Sequence, residues 1–202
     1  GQALRLLAGL PGEAATSALA REAEGSAADR QALLLELLAE REDPAGREAA
    51  ARLASAGDEA VRVAALRALG VLGDASDVAM LTRLAATDAG PVGQAAREGL
   101  LGLRRGDVDA ALLSALGKEK APSTRIELIR ACAARRSAGA DAVIVAIFRS
   151  PGEREVRLAA AEAAVRLAEA SPGGAKAGLD ALRGAASGPE EKRLLLEALS
   201  GA

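Results

Sequence analysis

Apolar residues recur on a helical period along most of the chain. In the clearest stretch Val61, Ala65, Ala68 and Leu72 stand at i, i+4, i+7 and i+11, one face of an α-helix. Asp58 is placed to cap its first turn, and Glu59 sits where the helix dipole favours negative charge. Gly73-Asp74 ends the run. A shorter helix follows, with Val78, Leu81 and Leu84 on one side and Arg83 on another. Thr87-Asp88-Ala89-Gly90 closes the unit, and Pro91 opens the next helix at a position whose N–H no helix would use.

The pattern then repeats. The phrase Glu59-Ala60-Val61-Arg62-Val63-Ala64-Ala65 returns as Glu155-Val156-Arg157-Leu158-Ala159-Ala160, with looser copies beginning at Val92 and Thr124. The leading position steps Val61, Val92, Thr124, Val156, a period of about 31–32 residues, in the range of stacked helical repeats. Val92, Ala95, Ala96, Leu100 and Leu103 predict a first helix, and Leu112, Leu113 and Leu116 a second. Thr124, Leu128, Ala131 and Cys132 follow, with Thr124 and Glu127 spaced as a capping box, then a second helix from Asp141 to Phe148. Val156, Ala159, Ala160, Ala163 and Leu167 lead to Leu179 and Leu182. Upstream, 30–38 and 47–54 read as another pair, and Gln2–Gly9 and Glu190–Leu199 as half units. The expectation is an all-α chain, an α-solenoid (alpha-alpha superhelix) of roughly five to six helix pairs. It reads as one repeat domain over residues 1–202, and as a piece of a longer chain because it opens Gly1-Gln2-Ala3 inside a helix.

The run from Val61 through Gly70-Val71-Leu72-Gly73-Asp74, followed by a short leucine helix, resembles the HEAT-like repeats of bacterial proteins, the phycobilisome-lyase type. The likeness is specific over 59–88 and 153–185 and looser over 91–148. It implies a right-handed solenoid whose second helices line a concave face. It implies no single function, since such repeats serve lyases, scaffolds and transport factors.

Composition sharpens this picture. Half of the chain is apolar and about a quarter is alanine, with no Trp, no Tyr and one Phe. Alanine buries little area, but it has the best helix propensity and lets helix axes approach closely. A thin helical stack suits it better than a ball. With 26 basic and 28 acidic side chains and no block of either sign, no nucleic-acid partner is expected. No apolar run reaches the ~20 residues that span a bilayer.

Chemistry is poorly supplied. There is no histidine and one cysteine, so transition metals would have only carboxylates to bind. Asp74-Ala75-Ser76-Asp77 lacks the glycine, spacing and closing Glu of a calcium loop. Gly70-x-x-Gly73, Gly99-x-x-Gly102 and Gly173-Gly174 follow no strand and carry no Gly-Lys-Ser/Thr ending. HEAT-type enzymes that hydroxylate a lysine derivative use paired His-Glu motifs, and HEAT-like DNA glycosylases use aromatic residues; this chain has neither. Glu190/Glu191 stand at a helix start. The expectation is no catalysis, no cofactor and no metal within residues 1–202. Cys132 aligns with Leu69 and reads as buried filler.

Three features remain. Arg30, Arg62, Arg125 and Arg157 recur at one register, broken by Gly93; pairing with nearby acids such as Glu59 or Glu155 accounts for them better than a ladder for an acidic partner. Gly99 and Gly102 predict close helix packing and make 91–103 the expected soft point of the stack. Val143-Ile144-Val145-Ala146-Ile147-Phe148 is apolar all round and rich in β-branched residues, so it is either enclosed or a partner contact. The candidate partner surface is Arg83, Val145, Phe148, Lys176, Asp180 and Arg183 on second helices. The reading is a protein–protein interaction scaffold, with an accessory repeat arm of an enzyme as the alternative. The partner would be a protein or a neighbouring domain of the same parent chain, and Leu194, Leu195, Leu196 and Leu199 are expected either to meet a further helix of a longer chain or to drive end-to-end self-association.

Overall fold

The computed structural model describes residues 12–170 and 175–200, with residues 175–177 as backbone only. The half unit expected at Gln2–Gly9 lies outside the described residues. Among the described residues there are twelve α-helices and no strand, only an isolated bridge between Asp74 and Arg105. The helices are α1 (Glu13–Gly25), α2 (Ala28–Arg41), α3 (Arg47–Ala56), α4 (Glu59–Leu72), α5 (Val78–Thr87) and α6 (Gly90–Gly102). They continue as α7 (Val108–Lys118), α8 (Pro122–Arg135), α9 (Ala140–Arg149), α10 (Arg154–Glu169), α11 (Ala175–Ala185) and α12 (Pro189–Ser200). The fold is all-α, built of repeated helix pairs as the periodicity predicts. The chain divides into two compact units, Gly1–Val108 and Asp109–Ala202, and each is treated by itself.

In the first unit, α2, α4 and α6 are successive first helices lying side by side, with α3 packed on α4 and α5 on α6. The sequence of α4 shows why. Asp58 accepts a hydrogen bond from the Val61 N–H at 3.0 Å and caps the first turn. Val61, Ala65, Ala68, Leu69 and Leu72 are all buried, so the predicted stripe is the inward face. The stop at Gly73 leads into a 3-10 turn, Ala75–Asp77, closed by a reciprocal capping box: Asp74 accepts from the Ser76 N–H at 2.7 Å and Asp77 from the Asp74 N–H at 2.9 Å. Asp77 is buried and also takes two hydrogen bonds from Arg47 of α3, at 2.8 and 2.9 Å. This bidentate pair locks one helix pair to the next.

The first helices meet through their smallest residues. A Cβ placed on Gly70 would lie 3.0 Å from the Gly99 Cα, one on Gly99 2.7 Å from the Leu66 carbonyl, and one on Gly102 2.7 Å from the Gly70 carbonyl. Residues 66–70 of α4 thus face 99–102 of α6 in the same direction, backbone against backbone. The close packing expected of Gly99 and Gly102 is present. One cap expectation fails. Thr124 lies inside α8, whose N-cap is Ala121 without a side-chain bond, because Pro122 occupies the first helical position. The turn is held instead by Glu119, which accepts from the Lys120 and Ala121 N–H groups at 2.7 and 2.8 Å.

In the second unit, α10 packs against α8, α9, α11 and α12. Its buried face is almost all alanine: Ala159, Ala160, Ala161, Ala163 and Ala164, with Val156 and Val165. The α9 segment splits by face. Ile144 and Phe148 are fully buried, while Val143 is 37% exposed. Helix α1 was not anticipated; its Ala15, Leu19 and Ala23 follow the helical spacing and are buried.

The glycine contacts give a prediction of sign. In an open helix, Gly→Ala stabilises by up to about 1 kcal/mol. Gly117→Ala in α7, where an added Cβ meets nothing within 4 Å, should be neutral or gain up to about that amount. Gly99→Ala should instead destabilise by about 1–3 kcal/mol, because backbone rather than a pliable side chain obstructs the methyl. Urea denaturation of the two variants beside the parent chain measures both.

Candidate functional site

A groove of the first unit lies along its first helices. It is about 590 Å³ and is walled by Ala32 and Ala39 of α2 and by Ala60, Val63, Ala64 and Val71 of α4. Glu36, Glu59, Arg67 and Pro91 stand among its lining residues. Its apolar lining follows from the repeat. Val63 and Val71 fall outside the buried stripe of α4, so their side chains are left half-buried and exposed on the other side of the helix.

Arg67 and Val71 also line a second hollow of about 460 Å³, between α4 and α6. Gly70, Gly99 and Gly102 border it, together with Glu42, Glu98, Arg104 and Arg105. Arg67 and Glu98 are 3.7 Å apart and largely in solvent, so their attraction is weak. Arg105 has a structural task. It donates to the Val71 carbonyl at 2.7 Å and to the Glu42 carbonyl at 2.5 Å, and its own carbonyl accepts from the Ala75 N–H at 3.0 Å. One residue after α6 therefore ties down the ends of α2 and α4, where orphan carbonyls favour a cation.

The residues chosen from the sequence are placed as follows. Arg83 is exposed on α5 in the first unit. Asp180 and Arg183 are exposed on α11 in the second and pair at 3.2 Å, so each already has a partner. Val145 is half-buried and lines a hollow of about 310 Å³ with Asp141, Leu167 and Leu182. The side chain of Lys176 lies outside the described residues. Phe148 is a correction: it is 0% exposed and belongs to the core, enclosed because it points into the unit from the same face as Ile144. The end leucines are corrected likewise. Leu194 and Leu195 are buried, Leu199 is half-buried, and Leu196 alone of the four is exposed, at 68%. The exposed large apolar side chains of the first unit, Leu33, Val71 and Leu101, all sit on first helices rather than second. The signal was present in Val63 and Val71, valines that break the stripe on a helix exposed on that side.

Three of the four recurring arginines make structural contacts. Arg62 donates to the Ala54 carbonyl at 3.2 Å and meets Asp88 at 3.0 Å. Arg157, buried, donates to the Phe148 carbonyl at 3.2 Å and meets Glu190 at 2.6 Å. Arg30 meets Glu22 at 2.6 Å. Acids of the same unit (Asp88) or of a neighbouring one (Glu22, Glu190) therefore serve, and Glu59 and Glu155 are not the ones used. Gly93 breaks the register because a Cβ there would lie 2.1 Å from the Asp88 carbonyl, and Arg97, one turn on, gives the hydrogen bond to Ala85 at 2.8 Å instead.

Among the described residues no three of His, Cys, Asp or Glu gather where a metal ion could be held. No described helix is long and apolar enough to cross a membrane. Hydrogen bonds from the Ser76 hydroxyl and N–H hold the Asp74 carboxyl below its ordinary range, and the Ala45 N–H and the Thr16 hydroxyl do the same for Asp43. Cys132 is buried, as read from its register, and burial, helped by Asp109, pushes its thiol up to about 11.

No family model matches the chain. No curated protein matches it either. The lyase-type resemblance therefore finds no support in these comparisons. Among solved structures the chain is similar to human deoxyhypusine hydroxylase in complex with glycerol, at 19% identity and a TM-score of 0.40, over 98% of this chain and 88% of that one. That protein is an enzyme, and the expectation of a chain without catalysis is withdrawn against this finding.

Burial of Cys132 is testable through pH. A thiol whose folded pKa stands above its ordinary 9.0 supports the folded state fully below that pH. That support is lost as the pH rises toward about 11. Thermal stability of the parent chain should fall more steeply across this window than that of Cys132→Ala. A thiol reagent should label Cys132 only at the rate of unfolding; fast labelling of the folded chain would contradict its placement.

Proposed function

We propose that the chain is a helical-repeat protein-binding module, acting as the accessory arm of an enzyme or as a scaffold between proteins. Both roles share one mechanism, capture of an apolar segment of a partner along the first helices of the first unit. The lyase-type HEAT resemblance of 59–88 fits the first role. The observation that carries the reading is the groove between α2 and α4.

Its walls are alanine and valine, shallow and parallel to two helices, a shape that accepts the large side chains of an amphipathic helix. Glu36 and Glu59 suit basic residues flanking that helix, and Arg67 suits an acidic one. Arg83, Val145, Asp180 and Arg183 remain candidate contacts on second helices.

Peptide display against the full chain tests the reading. Selected peptides should be amphipathic helices with basic flanks, and their binding should fall at least tenfold in Val63→Asp and Val71→Asp but not in Arg83→Glu. Equal binding to all three variants would remove the groove from consideration. In the intact parent protein, an arm role predicts that Val63→Asp raises KM for a protein substrate with kcat unchanged. A scaffold role predicts lost partner binding with no kinetic effect.

A further inference from the structure

The apolar run 143–148 in α9 has an outer side as well as an inner one. Ala140, Ile144 and Phe148 are buried at successive turns and form the face that packs on α10. On the opposite side Ala142, Val143 and Ala146 are exposed, and Val145 and Ile147 flank them half-buried. Other second helices put charge there: Arg52 is exposed on α3, Arg83 on α5, and Asp180 and Arg183 on α11. Between Asp141 and Arg149, α9 shows solvent no polar side chain. Past Val145 the apolar surface continues into the hollow of about 310 Å³ that Leu167 and Leu182 also line. Covering such a face removes apolar surface from water.

The two ends of this face carry opposite charge. Asp141, Val145 and Arg149 stand at i, i+4 and i+8, one row along the helix with the valine at its middle. Both charged residues are exposed, and neither side chain takes part in a hydrogen bond or ion pair among the described residues. They stand about 12 Å apart along the helix axis, too far to pair with each other. An acid in the first turn and a base in the last suit the dipole of α9 itself. They also make the row its own complement. Turned end over end, Asp141 meets Arg149, Val145 meets Val145 and Arg149 meets Asp141. Ala142 and Ala146, in the next row, let two such helices come close.

We propose that a second copy of the chain docks on this face, α9 against α9, antiparallel about a twofold axis at Val145. A twofold interface requires a self-complementary patch, and this row meets that condition in charge and in apolar character. The two helix dipoles also oppose one another in that arrangement. A helix of 10 residues with a neighbouring hollow buries less than the about 800 Å² a side of a standard interface. The dimer is therefore a weak one, with a dissociation constant on the order of 100 μM. The contact lies wholly in the second unit and does not depend on the groove of the first.

Sedimentation velocity of the full chain, from about 10 μM to about 1 mM, reads the association directly. The parent chain should pass from monomer to dimer across that range. Ala146→Glu, on the exposed face, should stay monomeric, with helicity and melting temperature at low concentration close to those of the parent. Asp141→Arg and Arg149→Asp should each stay monomeric alone, because pairing with itself sets like charges together at both ends. Mixed in equal amounts, these two variants should form a dimer of one copy of each, since one then offers two cations to the other's two anions. Three results would overturn the proposal. One is a parent chain still monomeric at about 1 mM, which leaves this face to a different protein. Another is a dimer that Ala146→Glu does not weaken. The third is a mixture of the two charge variants that associates no better than either alone.

Discussion

The first unit depends on how closely its first helices approach. With one Phe and no Trp or Tyr in the chain, burial has to come from many small contacts rather than a few large ones. Alanine and glycine make that feasible because they let backbones touch. Gly70, Gly99 and Gly102 put carbonyls and Cα atoms of α4 and α6 within van der Waals range, and Leu66, Leu69 and Leu72 fill the space beneath. In the second unit α10 uses the same means, with a buried face of five alanines. Dispersion at such short range compensates for side chains that individually bury little.

Helices this close bring their ends together, and the ends are polar. Each leaves carbonyls without partners, and arginine supplies the donors: Arg62 for Ala54, Arg97 for Ala85, Arg157 for Phe148, Arg105 for Glu42 and Val71. Acids of the same pair or the next then neutralise some of these cations, as Asp88 does for Arg62 and Glu190 for Arg157. A chain of near-zero net charge thus spends much of its charge inside itself. What the first unit leaves at its surface is an apolar groove with a few charges around it.

The legible part of this architecture is the part set by period and caps. The stripe Val61–Leu72, its Asp58 cap, its end at Gly73 and the burial of Cys132 follow from residue order alone. Two kinds of feature did not. The Thr-x-x-Glu spacing that suggests a Thr124 cap for α8 is local, whereas Pro122, two residues earlier, fixes the helix start. Phe148 was offered as a contact because a six-residue apolar run hides which side faces inward; only packing against α10 separates Phe148 and Ile144 from Val143. The proposed groove lies on first helices rather than second for a related reason. A family resemblance names a customary face, while the exposed valines of α4 mark where apolar surface is left over.

Amide hydrogen exchange of the whole chain, read residue by residue in the first unit, tests the central claim most directly. If first helices held backbone to backbone carry the fold, amides of 66–72 and 99–102 should exchange last, after those of α1, α3 and α5. Exchange of α6 amides ahead of α1, or together with the exposed turn at Thr87–Ala89, would contradict it.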